Sequence, residues 1–372
     1  MMTIKQKLGE AHYENLLASA LLHTSHSQRI QHVTEKLQHN EVLRFVTLGG
    51  SITEGLIANK KVAMPYGNLI YDFLSQKLYG PRQVEYLNLG ISCSFALLGL
   101  ILTESHIRDF APDLVIIDFS VNETLDQGGM IRFESLIRSL LNLPSQPALI
   151  ILTLKDQASH TAAPYMTHMG KYYDLPVINL GDALETYFNA QMLCWSDCYA
   201  DYIHPHQLGH QLIADCICYY FKQISMQKSN IKKFLPPCCF FAPYENMHFL
   251  SAKALYKISD TNFTLRENPD FIFSNLLCND LSHLEHYLYF SLSCKILVFL
   301  FFQTNDVNFA TATIHIDKVH THFLQGYCQF VWQFPRPMCV LEENTPKPHQ
   351  FELYINGLDS HKKFYLLGVG WC

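Results

Sequence analysis

The sequence predicts a doubly wound, three-layer α/β/α domain followed by an antiparallel β-sandwich, and three observations lead to that expectation. Five strand-like apolar runs alternate with segments of helical period between about residues 41 and 230. The third of these runs, at residues 113–119, is apolar almost throughout, as is typical of a parallel strand covered on both faces. Beyond the proline pair at residues 236–237, short strand-like runs alternate with Asn, Asp, Gly and Pro, which indicates an antiparallel sandwich.

The length of 372 residues and the hydrophobic fraction of 49% are enough to fill two separate cores. We therefore divide the chain into a helical lead-in at residues 1–40, an α/β domain at residues 41–230 and a β-sandwich domain at residues 238–372. The boundary falls where the composition changes, in the sequence KKFLPP at residues 232–237.

Charge and cysteine content exclude several classes of protein. Only 16% of the residues are charged and the net charge is -6, so no basic field would recruit nucleic acid or an anionic membrane. The chain begins without a long apolar run, and the longest later one, at residues 296–302, is far shorter than the roughly 20 residues of a membrane-spanning helix. The 12 cysteines include no Cys-x-x-Cys pair, which favours reduced thiols. We expect a cytoplasmic protein without a membrane span, and the oligomeric state stays open.

Apolar residues recur at spacings of three and four before residue 40 and between the predicted strands, as in amphipathic helices. Because parallel strands need crossover connections, each strand–helix–strand unit indicates a parallel sheet. The predicted strands begin near Arg44 and then cover residues 84–90, 113–119, 148–154 and 176–179. The predicted helices after the lead-in cover residues 65–78, 97–109, 130–141, 163–173 and 207–224.

The first strand runs directly into the sequence GGSIT at residues 49–53. The two glycines let the backbone turn sharply. The turn places Ser51 at the carboxyl end of a strand, where open α/β sheets bind their ligands. Gly and Ser are also common turn residues, so this tripeptide alone does not distinguish a nucleophile from a turn.

Three later segments support a nucleophile at Ser51. Gly90 ends the second strand and Asn122 follows the third. Asp201 and His204 fall together in a late loop. A serine needs a base to remove its proton, and a histidine can do so at neutral pH. Asp201 can accept the Nδ1 proton of His204 and so set its tautomer. Turn and capping roles would also suit a glycine, an asparagine and an aspartate at these places.

With these four blocks in this order, the chain resembles the SGNH/GDSL hydrolase family. The resemblance covers about residues 40–225 and implies a flavodoxin-like three-layer α/β/α fold with a central parallel sheet. One block departs from the family pattern Gly-x-Asn-Asp, because residues 120–123 read SVNE. The asparagine is kept, while the backbone and the acidic neighbour differ.

The resemblance implies a role for each block. Ser51 would be the nucleophile of a serine esterase or acylhydrolase, and Asp201 and His204 would complete its catalytic triad. The oxyanion hole would consist of the backbone N–H groups of Ser51 and Gly90 and the side-chain amide of Asn122. Each such donor can be worth roughly 3 kcal/mol in the transition state.

Other polar and aromatic side chains lie near these blocks. We interpret Glu54 and Glu123 as solvated or supporting groups without a catalytic role. Four aromatic residues can border the site and offer platforms for a sugar ring, although packing explains each equally well. They are Tyr66, Trp195, Tyr199 and Tyr202.

The 19 histidines raise the question of a metal site, and the best cluster is His204, His206 and His210. Apart from Asp201, which the triad already uses, no nearby Cys or acidic set completes a zinc site there. We therefore predict no metal and no cofactor.

The substrate class is implied only by resemblance. The strand-like runs of the second half look like the β-sandwich that follows the catalytic domain in some bacterial SGNH proteins. The implied activity is removal of a short acyl group, acetyl before others, from a carbohydrate or a related small ester. Lysophospholipase, thioesterase and sugar O-acyltransferase activities are alternatives. A non-catalytic carbohydrate-binding protein with a vestigial site is another, although the complete set of motif residues argues against it.

Overall fold

The structure is a computed structural model that describes residues 2–25, 27–57, 60–224, 235–269, 271–281, 283, 285–329, 333–355 and 359–372. The chain forms two compact units, Met1–Glu245 and Asn246–Cys372. The predicted end of the α/β domain at residue 230, and part of the predicted boundary segment, lie outside the described residues.

The first unit contains eleven α-helices within the described ranges. They are α1 (Ile4–Leu8), α2 (Glu10–Ala20), α3 (Gln28–Gln38), α4 (Ser51–Glu54), α5 (Tyr66–Asp72), α6 (Ala96–Leu102), α7 (Arg108–Phe110), α8 (Gln127–Leu141), α9 (Ala163–Tyr172), α10 (Leu180–Asn189) and α11 (Gln207–Ile224). Helices α5 and α6 continue as π-helical turns at Phe73–Lys77 and Thr103–Ile107, and a 3₁₀ turn lies at Trp195–Asp197. The strands are β1 (Leu21–His23), β2 (Leu43–Gly49), β3 (Leu56–Ile57), β4 (Lys60–Lys61), β5 (Val84–Gly90), β6 (Leu114–Asp118), β7 (Ala148–Thr153) and β8 (Val177–Asn179).

The central sheet of the first unit has the order β1-β8-β7-β6-β2-β5. Strands β2 and β5–β8 pair in parallel, and β1 is antiparallel to β8. Without β1 the order is that of a flavodoxin-like sheet, so the predicted fold is confirmed. The strand order reverses between β2 and β6, and this switch point is where such sheets bind ligands. Ser51 follows β2 and Asn122 follows β6, so both blocks lie at that point.

Strands β2, β6 and β7 occupy the centre because their side chains are apolar on both faces. On one face, Phe45 and Ile116 pack with residues of α2, α3, α5 and α11 in a single buried core. The predicted helical lead-in is part of this unit, since Leu16 and Val33 belong to the same core. The lead-in also contains strand β1, which the sequence analysis did not predict.

The first unit extends past the predicted start of the second domain because helix α8 holds the following segment. The carboxylate of Glu134, which is buried, accepts hydrogen bonds from the N–H groups of Phe240 and Phe241 at 2.8 and 2.9 Å. One turn further along α8, Arg138 pairs with Glu245. Leaving a buried hydrogen-bonding group without its partner costs about 1 to 3 kcal/mol, so these contacts anchor the segment.

The second unit is an antiparallel β-sandwich, as predicted. Its elements are β9 (His248–Ser251), α12 (Ala252–Ile258), β10 (Asp260–Thr261), β11 (Thr264–Glu267), β12 (Asn275–Cys278), β13 (His286–Thr304), β14 (Thr311–Ile316), β15 (His320–Gln325), β16 (Gln333–Ile355) and β17 (Tyr365–Trp371). The order is β11-β12-β17-β13-β16-β14-β15, with β10 on β13 and β9 on β17. Bulges interrupt the long β13–β16 ladder near Cys294 and Leu297, where strands can bend.

Five of the 12 cysteines are buried in the structure, and they are Cys198, Cys216, Cys218, Cys278 and Cys294. Within the described ranges, no helix combines the length and the apolar character needed to cross a membrane.

Candidate active site

The turn between β2 and α4 presents Ser51. The strand ends at Gly49 and the helix begins at Ser51, so the backbone N–H of Ser51 lies in the first helical turn, where N–H groups have no partner within the helix. The side chain of Asn122 lies directly against this turn, because a Cβ atom on Gly50 would be 2.3 Å from its Oδ1. Glycine at this position therefore lets the amide of Asn122 approach Ser51.

Ser51, His204 and Asp201 form a continuous hydrogen-bonded chain. The Oγ of Ser51 lies 2.9 Å from Nε2 of His204, and Nδ1 of His204 lies 2.9 Å from Oδ2 of Asp201. Because Nδ1 faces a carboxylate, a neutral ring carries its proton there and directs the lone pair of Nε2 toward the serine hydroxyl. The arrangement can take the Ser51 proton and stabilise the imidazolium that results.

Asp201 is held by its own loop. Its Oδ1 accepts hydrogen bonds from the N–H groups of Ile203 and His204 at 2.9 and 2.7 Å, as in an Asx turn. The indole N–H of Trp195 donates to its carbonyl at 2.6 Å. Partial burial raises the pKa of Asp201, but the bonds from His204 and Ile203 outweigh it and hold the pKa below its usual value. The carboxylate is therefore ionised at neutral pH.

The loop is also fixed at its end. The N–H of His206 donates to the carbonyl of Cys198 at 3.0 Å and closes the loop on itself. The side-chain amide of Gln207, the first residue of α11, bonds both the N–H and the carbonyl of Met64 at 3.0 and 2.9 Å. These bonds connect the histidine loop to the segment that follows the Ser51 turn.

Gly90 does not fit the oxyanion role predicted for it. Its backbone N–H already donates to Oδ1 of Asn88 at 2.8 Å. A glycine is needed there for packing, because a Cβ atom would lie 2.1 Å from the backbone nitrogen of Glu54. The glycine lets α4 pack closely on the end of β5, and the two remaining predicted donors are the N–H of Ser51 and the amide of Asn122.

Of the two roles predicted for Glu123, solvated or supporting, the structure shows the supporting one. Its carboxylate is buried and accepts hydrogen bonds from Arg132 at 2.6 Å and from the N–H of Ala96 at 3.0 Å. Burial raises the pKa of Glu123, and the charge of Arg132 opposes the rise. The sequence analysis missed Arg132, although its place on a helix directly after the SVNE block was a usable signal. The pair fixes the loop that carries Asn122.

Glu54 is likewise a supporting group rather than a solvated one. Its Oε2 accepts hydrogen bonds from the N–H and the hydroxyl of Ser92 at 2.9 and 2.7 Å. Glu54 thereby ties the end of α4 to the turn that follows β5.

Three of the four aromatic residues predicted to border the site serve packing. Tyr66 and Tyr199 are buried. The ring of Trp195 stacks on Tyr199 with the centroids 3.8 Å apart. Tyr202 is 64% exposed and is the most exposed of the four.

The three histidines of the candidate zinc cluster face different partners. His204 bonds Ser51 and Asp201, while Nε2 of His206 lies 3.1 Å from the carbonyl of Ser196. His210 is buried. Across the part of the chain that the structure describes, no three His, Cys, Asp or Glu side chains are grouped to hold a metal ion.

The whole chain is similar to solved structures, whereas no protein-family model and no curated protein matches it. One is the crystal structure of a two-domain esterase active on acetylated mannans, at 20% identity and a TM-score of 0.83, covering 92% of this chain and 94% of that one. A second is the same kind of two-domain esterase co-crystallised with mannopentaose, at 19% identity and a TM-score of 0.81, with 92% and 94% coverage.

At this identity the likeness establishes the fold. The chain has a flavodoxin-like three-layer α/β/α fold in its first unit and a β-sandwich in its second, as the sequence analysis predicted. It shares this two-unit architecture over nearly its full length with an esterase described as active on acetylated mannans.

Proposed function

We propose that this protein is a serine esterase that removes acetyl groups from a carbohydrate through an acyl-enzyme intermediate. The observation that carries the proposal is the hydrogen-bonded chain from Ser51 through His204 to Asp201 at the switch point of the sheet. A serine, a neutral imidazole and an ionised carboxylate in this order can activate a nucleophile.

The proposed reaction has two halves. The Oγ of Ser51 attacks the acetyl carbon while His204 takes its proton, and the histidine then gives that proton to the departing sugar oxygen. Water attacks the acetyl-enzyme in the second half by the same proton transfers in reverse, and acetate leaves. The negative oxygen of each tetrahedral intermediate would bind the N–H of Ser51 and the amide of Asn122.

The carbohydrate part of the proposal is supported by the shared two-unit fold. The similar solved structure is described as active on acetylated mannans, and the likeness extends over both units. A sugar hydroxyl is then the leaving group, and the small acetyl group needs no long apolar trough beside Ser51.

Measuring the release of acetate from candidate substrates tests the proposal directly. We expect kcat/KM on acetylated manno-oligosaccharides to exceed the values on a long-chain nitrophenyl ester, a lysophospholipid and an acyl thioester. A higher kcat/KM on the lysophospholipid or on the acyl thioester would show that the protein is a lysophospholipase or a thioesterase and not an acetyl esterase. Transfer of acetyl to an added sugar in place of acetate release would make the protein an acyltransferase. No turnover and no reaction with a fluorophosphonate would indicate a vestigial site.

The substitution Asn122→Ala tests the oxyanion site. We expect kcat on a small acetyl ester to fall by about a hundredfold or more while KM changes little, because the amide would bind charge that exists only in the transition state. The control is Asn68→Ala, which removes an exposed amide from helix α5. A raised KM with an unchanged kcat would assign Asn122 to ground-state binding of the substrate.

A further inference from the structure

Asp118, the last residue of β6, is a buried carboxyl group that the reaction above does not use. Its side chain is 1% exposed, and it lies at the carboxyl end of a central strand. Both its side chain and its backbone carbonyl are hydrogen-bonded to the turn that carries Ser51. Burying a carboxyl group is costly unless its partners compensate, so its place beneath a nucleophile requires an explanation.

Asp118 holds the Ser51 turn on both sides of the serine. Its backbone carbonyl accepts the N–H of Gly50 at 3.3 Å, and its Oδ2 accepts the hydroxyl of Thr53 at 3.0 Å. The packing leaves no room, since a Cβ atom on Gly49 would lie 2.2 Å from Oγ1 of Thr53 and 2.5 Å from the carbonyl oxygen of Asp118. Gly50, which precedes Ser51, and Thr53, two residues after it, are thus both hydrogen-bonded to Asp118 of the neighbouring strand.

A second set of contacts extends from Thr53 to the helix that follows the histidine loop. The hydroxyl of Tyr66 lies 2.8 Å from Oγ1 of Thr53. Because the single hydroxyl proton of Thr53 goes to Asp118, Tyr66 is the donor. The backbone N–H of Tyr66 donates to Nδ1 of His210 at 3.2 Å. His210 belongs to α11, which begins directly after the His204 loop, so the chain of contacts connects the two loops that must meet for catalysis.

We propose that Asp118 is a positioning residue that, through Gly50 and Thr53, keeps the hydroxyl of Ser51 within hydrogen-bonding distance of His204. The inference rests on the proposed function, because it requires Ser51 to act as a nucleophile. A turn held only by its own backbone could shift, and a displacement of about 1 Å can cost about a hundredfold in rate.

The protonation state of Asp118 supplies a signature that a purely structural role lacks. Burial raises the pKa of Asp118 to about 7, and the bond from Thr53 opposes the rise. The titratable side chains that face it are Tyr66 from α5 and Tyr199 from the histidine loop, and burial raises the pKa of both, so both stay neutral phenols. Within the described residues, Oδ1 of Asp118 also has no hydrogen-bond partner.

Ionisation of Asp118 would therefore place an unpaired negative charge beneath the Ser51 turn. The acetyl-transfer transition state also carries negative charge, and like charges in a dry site repel strongly. In the wild type, kcat should therefore fall at alkaline pH as Asp118 ionises above its pKa of about 7.

The experiment compares Asp118→Ala, Asp118→Asn, Thr53→Val and Thr53→Ser on a small acetyl ester over a range of pH. We expect Asp118→Ala and Thr53→Val to lower kcat by about a hundredfold with little change in KM. Thr53→Ser should restore most of this loss, because it keeps the hydroxyl. Asp118→Asn keeps an acceptor for Thr53 but cannot ionise, so it should recover most of the activity and lose the alkaline fall. The control is Asp109→Ala, an exposed aspartate on α7.

A second measurement separates this inference from the substrate proposal. The rate constant of Ser51 labelling by a fluorophosphonate needs only an activated serine, so it should fall in Asp118→Ala and Thr53→Val even if acetyl esters prove to be the wrong substrates. Labelling and turnover within about threefold of wild type in folded Thr53→Val would overturn the positioning role. An alkaline fall that persists in Asp118→Asn would overturn the part assigned to ionisation. If the fluorophosphonate did not label the wild type, the assignment of Ser51 as the nucleophile would be wrong. The positioning role of Asp118 would then be wrong as well.

Discussion

Replacing Ser51 with alanine should abolish both labelling by a fluorophosphonate and hydrolysis of a small acetyl ester. The expected loss of kcat is about ten-thousandfold or more, because no other group can form the acyl-enzyme and the remaining oxyanion donors act only on uncatalysed attack by water. Intact-mass spectrometry should show one added phosphonyl group on the wild type and none on Ser51→Ala. Steady-state kinetics on the same samples measures the loss of turnover.

The control for this prediction is Ser19→Ala, which removes an exposed hydroxyl from α2. It should be labelled and should turn over substrate like the wild type. The fold should not change in Ser51→Ala, since the hydrogen bond of its Oγ goes to His204, which Asp201 also holds. Equal thermal melting of the two variants checks this. If Ser51→Ala is labelled as strongly as the wild type, the nucleophile lies elsewhere in the chain.

The sequence predicted the strands of the central sheet well because they are long and apolar. The strand predicted at residues 84–90 coincides with β5, and the one predicted at residues 113–119 contains β6. Strand β1 escaped prediction because three residues carry too little periodicity, and its pairing with β8 depends on a contact far along the chain. The π-helical turns after α5 and α6 have the same apolar residues as an α-helix and could not be distinguished by pattern.

The roles of the residues around Ser51 depend on side-chain contacts that no motif contains. Gly90 ends its strand as predicted, yet the side chain two residues earlier takes its N–H. Glu123 looked like a loop carboxylate, and only the position of Arg132 on α8 shows that it is buried and paired. Asp118 lies within the strand predicted at residues 113–119, and that pattern does not show that the hydroxyl of Thr53 donates to its carboxyl group.

The motif around Ser51 therefore serves close packing as well as chemistry. Gly49 and Gly50 leave space for Thr53, Asp118 and the amide of Asn122, and Gly90 leaves space for the backbone of α4. Any side chain at these glycines would have to displace the Ser51 turn, the amide of Asn122 or the backbone of α4.

Replacing Asp201 with asparagine should cost nearly as much as replacing the nucleophile, and the loop geometry explains why. Oδ1 accepts two backbone N–H groups, so the carbonyl oxygen of an asparagine would remain there and its NH₂ group would face His204. Nδ1 of His204 would then have to accept a hydrogen bond, and the ring proton would move to Nε2, where it points at Ser51. A histidine in that tautomer cannot take the serine proton, so we expect kcat to fall by about ten-thousandfold while the loop stays folded.

The matched control is Asp197→Asn, a carboxylate of the same loop region that pairs with Lys7 and not with His204. It should keep its activity within about threefold. Stability gives a second readout for Asp201→Asn. The pKa of Asp201 is held below its usual value in the folded protein, so the carboxylate stabilises the fold above the unfolded-state pKa, and that contribution is lost as the pH falls through the lower, folded-state pKa. The melting temperatures of wild type and Asp201→Asn should differ at neutral pH and converge in acid. If Asp201→Asn kept the turnover of the wild type, Asp201 would only shape the loop, and His204 would need no carboxylate to act as a base.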